Sequence, residues 1–213
     1  MPSNEYFEVG YHTDRFYELE EDLIKFLRFM PLEIYNTSEK RETVKSPYLA
    51  DLLIRIGSNI DIFFRKLIIS YYIEIDNERK TEKRIYLSVK DYKKLEEKFL
   101  KRGKKLSGCN VKLIQTGEYL TPFKNWNIAT PNWWTSYNHV KHEALIEEAN
   151  LNNIMHSLAA FFLLICFKKS SAKLVQYNYL CVPPQYRNEI LSDLKKEMKH
   201  NIITKLFISP VES

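Results

Sequence analysis

Apolar residues recur every three or four positions along most of this chain, which is the spacing of one face of an α-helix. The first stripe predicts an amphipathic helix, and its members are Phe16, Leu19, Leu23, Phe26 and Met30. Pro31 should end this helix, because proline lacks the amide hydrogen and clashes with the preceding turn. Residues 36–46 are polar and are interpreted as a loop.

The second stripe begins at Ser46-Pro47, a typical helix start in which serine caps the first amides and proline occupies the first turn. Apolar residues at helical spacing then predict that this helix runs to about Ile75. Gly57 lies inside it. A glycine there either permits a close helix crossing or only lowers the stability of the helix slightly.

Two further helices are predicted after a charged break. Ser88 with Asp91 resembles a helix cap and opens a short helix that ends before Gly103. Thr130-Pro131 repeats the cap-and-proline start and opens a helix that is expected to break near Asn150.

The remaining segments complete the pattern. Residues 103–129 form an irregular insertion with a candidate short strand at 111–114. An apolar run that ends at Phe167 predicts a strongly buried helix. Residues 174–182 have extended character, and a last amphipathic helix is predicted at 183–200.

These elements predict a single all-α domain over residues 1–213, a helical bundle with its core at roughly 14–170. Hydrophobic residues make up 45% of the chain, which is enough to build a core. Glycine is scarce, with 5 in the whole chain, which favours helices over a turn-rich β fold.

Positive charge is concentrated in one segment. The whole chain has a net charge of +5, whereas residues 79–105 contain twelve Lys or Arg and four Asp or Glu. The rest of the chain therefore has a small negative excess. Such a segment either attracts phosphate groups or is a solvated helix face and loop. The candidate RNA-binding residues within it are Lys93, Lys94, Lys101 and Arg102.

Other features bear on location and cofactors. We find no secretory signal, and the most apolar run, Leu158–Phe167, is shorter than the roughly 20 residues that cross a bilayer. The 3 cysteines lack metal-ligand spacing, and their odd number indicates reduced thiols. We therefore expect a cytoplasmic protein with no membrane association, no metal and no cofactor.

The densest chemistry lies in residues 133–142, which read Trp-Trp-Thr-Ser-Tyr-Asn-His-Val-Lys-His. On a helix, one face of this segment would consist of Trp134, Asn138, Lys141, His142 and Leu145. A face that combines an amide, a cation and an imidazole can hold an anion or transfer a proton. His139 points about 100° away from Asn138 and is expected at the surface.

Asn138 followed by three residues and then His142, after a Trp-rich start, resembles the HEPN superfamily. Many of these small helical bundles are metal-independent ribonucleases of toxin–antitoxin, abortive-infection and CRISPR-associated systems. The family signature is Arg, a polar residue that is often Asn, three variable residues and His. Tyr137 stands where the signature has Arg. The resemblance covers roughly residues 16–167 in helix order.

The resemblance implies an antiparallel bundle, a homodimer whose two motif helices form one composite cleft, and a role in bacterial or phage defence or stress. It also implies a role for each motif residue as a candidate catalytic group. His142 would transfer protons, because imidazole titrates near neutral pH, and Asn138 would donate to a phosphate oxygen. Tyr137 is uncharged at neutral pH and cannot replace the bidentate guanidinium, so cleavage should be weak or absent.

Three residues are candidates to replace the missing cation. Lys141 precedes His142 directly and would act as a point charge. Arg55 and Arg65 of the second predicted helix are the others, and their positions depend on the fold.

Two classes of function stay open: a protein that binds or cleaves RNA, and a non-catalytic scaffold or antitoxin-like module with a protein partner. A purely structural role is also open. Asn138 and His142 would then form a buried polar pair between helices, with Trp133, Trp134 and Tyr137 as core aromatics. The same aromatic surplus would also suit the core of a dimer interface.

If the basic segment binds nucleic acid, changing Lys93, Lys94, Lys101 and Arg102 together to Glu should abolish retention of RNA in a gel shift. Such binding depends on release of counterions, so it should be weakly sequence-specific and lost as salt rises. Absence of retention by the unmodified protein at low salt would contradict the prediction.

Overall fold

The computed structural model describes residues 9–72, 89, 92–93, 106–113 and 116–167. Of the residues it describes, 68% are helical and 4% lie in strands, so the prediction of a helical protein is confirmed. The predicted segments at 174–182 and 183–200 lie outside the described residues. So does most of the helix predicted from Ser88, although the three residues described between Ser88 and Gly103 are helical.

The helices are α1 (Val9–Leu27), α2 (Ser38–Thr43), α3 (Pro47–Tyr72), α4 (Asn132–Glu143) and α5 (Leu151–Phe167). Two 3₁₀ helices span Leu106–Gly108 and Ile146–Glu148. Strands β1 (Val111–Lys112) and β2 (Tyr119–Leu120) pair antiparallel. α1, α3 and α5 correspond to predicted helices, and Ser46 caps α3 as expected, its hydroxyl accepting from the Leu49 amide at 3.2 Å.

α5 is the central helix, and α1, α2, α3 and α4 all pack against it. Every side chain from Leu158 to Ile165 is buried, as a helix that is apolar all round requires. α5 runs parallel to α3: its first amide, of Leu151, donates to the Val44 carbonyl just before α3, and Phe161 lies 6.5 Å from Phe63.

α1 runs antiparallel to α3. His12, near the start of α1, lies 5.1 Å from Phe63 between ring centroids. Asp22, near the end of α1, forms an ion pair at 2.8 Å with Arg55, near the start of α3. The two contacts hold both ends of the helix pair.

The buried face of α1 contains a carboxyl group. Glu20 follows Phe16 by one helical turn and is fully buried. Neither carboxyl oxygen has a hydrogen-bond partner among the described residues. Burial raises the pKa of Glu20 to about 9, so the group is protonated at neutral pH and avoids the cost of a buried charge.

Residues 36–46, interpreted from sequence as a loop, contain the helix α2, so that interpretation is wrong. Thr37 caps α2, with its hydroxyl accepting from the Lys40 amide at 3.3 Å. Arg41 then anchors the short helix, because its fully buried guanidinium forms a bidentate ion pair with Glu118 at 2.7 Å. A six-residue helix needs such tertiary contacts to be stable.

α4 also differs from prediction at both ends. Thr130 does not cap it; Pro131 precedes the helix, and no side chain caps the first amides. The helix ends at Glu143 rather than near Asn150, because Ala144 adopts a left-handed conformation with φ 56°. Leu145 therefore lies beyond the helix and outside the face on which it was predicted.

The insertion at 103–129 is irregular as predicted, but much of it is core. Its strand is shorter than expected, because β1 ends at Lys112. Trp126 is fully buried and stacks on Phe64 of α3 at 5.9 Å, and Pro122 accepts a hydrogen bond from the Trp133 indole at 2.7 Å. The insertion thus closes the core beside α3 and α4.

Gly57 marks a close crossing of α3 and α4, one of the two alternatives for this glycine. A Cβ atom at this position would lie 2.3 Å from Cδ2 of Tyr137. The ring therefore occupies the space that any other residue would need. α4 runs antiparallel to α3, since Trp134 lies beside Phe64 at 6.1 Å and Tyr137 beside Gly57.

Gly57→Ala should lower the free energy of unfolding by about 2 kcal/mol, because overpacking a fixed ring outweighs the better helix propensity of alanine. Denaturant unfolding measures this. The matched control is Gly57→Ala in a Tyr137→Ala background, where the ring is absent and the substitution should be neutral or stabilising. A stabilising Gly57→Ala in the otherwise unmodified protein would contradict the predicted clash.

Candidate functional site

The motif helix α4 has a buried aromatic side and a polar outer side. Trp133, Trp134 and Tyr137 are buried, as the structural alternative had them, rather than exposed for a dimer interface. Asn138 is partly buried, whereas Lys141 and His142 are exposed. Positions 138, 141 and 142 are neighbours on a helix surface, so the amide, the ammonium and the imidazole lie side by side.

Tyr137, at the position of the signature arginine, is a core residue with a polar tip. Its side chain is 1% exposed and packs on Gly57. Its hydroxyl accepts a hydrogen bond from Lys141 Nζ at 2.9 Å and lies 3.5 Å from the Ser58 hydroxyl. The phenol thus brings no charge to the motif and instead binds the neighbouring cation.

Asn138 and His142 are not the buried polar pair that the structural alternative required, because His142 is exposed. Among the residues that the structure describes, neither side chain has a hydrogen-bond partner. Both are therefore available on this face for an external group.

Arg55 does not lie at the motif. Its guanidinium binds Asp22 of α1 at 2.8 Å and approaches Asp51 at 3.6 Å. Residue 55 lies two positions before Gly57. Two residues correspond to about 200° around a helix, so Arg55 points away from the side of α3 that contacts α4.

Arg65 lies at the opposite end of α4 from His142. It binds Asp61 at 3.1 Å, and the same carboxylate accepts a hydrogen bond from the Tyr92 hydroxyl. Tyr92 packs edge-on against Trp134 at 5.8 Å. Trp134 precedes His142 by eight residues, or about 12 Å of helix. Among the three candidate cations, only Lys141 is placed beside the motif.

Lys93 is the one member of the predicted RNA-binding set that the structure describes; Lys94, Lys101 and Arg102 lie outside the described residues. Its ammonium lies 6.0 Å from the centre of the Trp126 ring. Trp126 stacks on the Phe64 that also contacts Trp134, so Lys93 lies near the start of α4 rather than near His142.

His139 was predicted at the surface and is half-exposed, but it has a partner that the sequence did not indicate. Its Nδ1 lies 2.8 and 2.9 Å from the two carboxylate oxygens of Glu148. This hydrogen bond raises the pKa of His139 above its usual value. The pair connects the last turn of α4 to the following 3₁₀ helix, across the left-handed Ala144.

A second polar cluster, which the sequence analysis did not predict, connects α2 to the start of α5. Besides its ion pair with Glu118, Arg41 donates through Nε to the Asn152 side chain at 3.3 Å. His156, one turn further along α5, has Nδ1 3.0 Å from the Asn152 carbonyl. Burial lowers the pKa of His156, and the nearby Arg41 charge lowers it further. A hydrogen bond to a backbone carbonyl together with a lowered pKa is typical of a structural histidine.

Within residues 9–72, 89, 92–93, 106–113 and 116–167, no group of three or more His, Cys, Asp or Glu is arranged to hold a metal ion. Among the helices of these same residues, none has the length and apolar character needed to span a membrane.

The aromatic residues that suited a dimer interface are in the core of the single chain. Because Trp133, Trp134 and Tyr137 are all at most 4% exposed, they cannot form the centre of a contact between copies without rearrangement. The expected homodimer therefore rests on the family resemblance alone.

Comparison of the chain with protein-family models, with curated proteins and with solved structures finds no match.

The ion pair of His139 with Glu148 should make stability depend on pH. Because the pKa of His139 is raised in the folded state above the ordinary 6.5, its contribution is full below that value and is lost as pH rises through the folded pKa. Glu148→Gln should therefore lower the melting temperature at about pH 6 but not at about pH 9. The control is Glu147→Gln, a neighbouring exposed carboxylate, which should show no such dependence. An equal effect of Glu148→Gln at both pH values would exclude this ion pair as its cause.

Proposed function

We propose that this chain is a HEPN-like helical domain that binds the phosphate backbone of RNA without cleaving it. The observation that carries the proposal is the outer face of α4, where Asn138, Lys141 and His142 lie together at the surface. The spacing of Asn138 and His142 is the part of the HEPN signature that the chain retains.

The chemistry of this face fits a phosphodiester. The Asn138 amide can donate to a non-bridging oxygen, and the Lys141 ammonium supplies the opposite charge. The exposed His142 ring can donate a further hydrogen bond or stack on an unpaired base. A single ammonium supplies few phosphate contacts, so we expect weak, salt-sensitive binding to single-stranded RNA.

The same geometry argues against efficient cleavage. Developing charge on phosphorus is best stabilised by a preorganised bidentate donor, which the family signature provides as arginine. Here that position holds Tyr137, whose ring is in the core, and neither Arg55 nor Arg65 lies at the motif. Neither of these two candidates therefore supplies His142 with the fixed guanidinium that the signature pairs with it.

A second candidate function is a non-catalytic interaction module with a protein partner. It is favoured by an exposed apolar pair on the connection between α1 and α2, where Phe29 is 84% exposed and Ile34 59% exposed. Exposed apolar surface marks protein contacts where it is contiguous, and these two side chains are the candidates for such a surface. The family resemblance further suggests a homodimer and a place in bacterial defence or stress, and both stay predictions.

Lys141→Ala and His142→Ala should each weaken binding of a fluorescein-labelled oligouridine, measured by fluorescence anisotropy at low salt. Loss of the Lys141 charge should weaken affinity by about tenfold and reduce the salt dependence by about one counterion. The matched control is Lys40→Ala, which removes an exposed lysine from α2 and should have little effect.

A fluorogenic RNA incubated with the unmodified protein, with and without EDTA, should remain intact. Cleavage that His142→Ala abolishes would contradict the non-cleaving role. No difference between Lys141→Ala and Lys40→Ala would contradict binding at this face, and absence of RNA binding with capture of a protein through Phe29 would favour the interaction module.

A further inference from the structure

Lys141 is an exposed residue whose ammonium group is nevertheless held in place. Its Nζ donates to the Tyr137 hydroxyl at 2.9 Å, and the same atom lies 5.1 Å from the centre of the Tyr137 ring. The two residues are one helical turn apart, a spacing at which side chains meet on the helix surface. Both the hydroxyl and the ring face therefore attract the cation.

The phenol that holds Lys141 is itself fixed. The Tyr137 ring lies directly against the backbone of Gly57, where no other side chain would fit. Trp134 packs against the same ring at 5.6 Å between centroids. The Ser58 hydroxyl lies 3.5 Å from the Tyr137 hydroxyl on the side of α3. A ring enclosed by two helices in this way cannot change rotamer without disturbing the core.

We infer that Tyr137 is a positioning residue of the phosphate-binding face: its hydroxyl holds the Lys141 ammonium where a phosphate oxygen can reach it. This inference rests on the proposed function. The Tyr137 and Lys141 pair takes the place of the arginine of the signature, with the phenol providing the rigidity and the lysine providing the charge.

The hydrogen-bonding capacity of the pair is consistent with this division. An ammonium has three N–H donors, and the bond to Tyr137 uses one. The remaining donors are directed away from the phenol and are available to an anion. A free lysine loses much rotamer freedom when it binds a ligand, and a lysine that is already held loses less.

A double-mutant cycle tests the inference. Tyr137→Phe keeps the packed ring and removes only the hydroxyl, and it should weaken oligouridine affinity by about fivefold. The salt dependence should not change, because the number of cations is the same. In a Lys141→Met background, Tyr137→Phe should have no further effect on affinity, because the hydroxyl acts only through the lysine.

The matched control is Tyr48→Phe, which removes a tyrosine hydroxyl that is bonded to the Asp22 carbonyl, away from the motif. It should leave RNA affinity unchanged. An equal loss for Tyr137→Phe with and without Lys141 would show a merely structural effect and overturn the inference, as would full affinity in the single variant.

A measurement without RNA separates the two proposals. With ¹⁵N-labelled lysine, the Lys141 ammonium should give an NMR signal protected from rapid exchange, and Tyr137→Phe should remove it. If that signal is present but the protein binds no oligouridine, the proposed function fails and the phosphate role fails with it. If the protein binds oligouridine through Lys141 but the protected signal is absent, the proposed function stands and the positioning role of Tyr137 is overturned.

Discussion

The contact between the Tyr137 ring and Gly57 is the constraint on which the arrangement of the motif depends. Because glycine has no side chain, α4 approaches α3 closely enough for the ring to lie against the α3 backbone. This contact sets the rotation of α4 about its own axis. Trp133, Trp134 and Tyr137 then face inward. Lys141 follows Tyr137 by one turn on the same side of the helix, and it is exposed because it lies in the last turn, next to the exposed His142. A side chain at Gly57 would change both faces at once.

The irregular insertion packs against the same two helices and closes the core beside their crossing. Trp126 and Phe123 bring further aromatic rings to Phe64 of α3, and Pro122 satisfies the buried Trp133 indole. Aromatic rings in edge-on and offset contact bury large areas with defined geometry, so this cluster holds the first turn of α4 rigidly. Polar contacts hold the other regions: Arg41 binds Glu118, and His139 binds Glu148 beyond the last turn of α4. The motif face thus lies on a helix supported at both ends.

The polar residues of α4 differ in how accessible they are to solvent, and this decides which of them have partners within the chain. Tyr137 lies in the core and binds Lys141, whereas Asn138 and His142 have no side-chain partner among the described residues. Donors left free at the surface beside a fixed ammonium are suited to binding an anion, whereas bond cleavage needs a cation placed to follow the developing charge. Binding and catalysis thus make different demands on the same helix, which is why binding without cleavage is the function proposed.

Local pattern determined the helices α1, α3 and α5, because apolar spacing, the Ser46 cap and Pro47 act within a few residues of the chain. It also placed Asn138, Lys141 and His142 on one helix face. Pattern did not reveal α2, which depends on the ion pair of Arg41 with Glu118, nor the buried Glu20, although Glu20 lies one turn from Phe16 on the apolar stripe. The early end of α4 and the partners of Tyr137 also came only from tertiary structure. The contacts of Arg41 with Glu118 and of Tyr137 with Gly57 and Ser58 join residues far apart in sequence, whose distances no local spacing encodes. The left-handed Ala144 and the bond from Lys141 to Tyr137 are local, but apolar spacing does not indicate them.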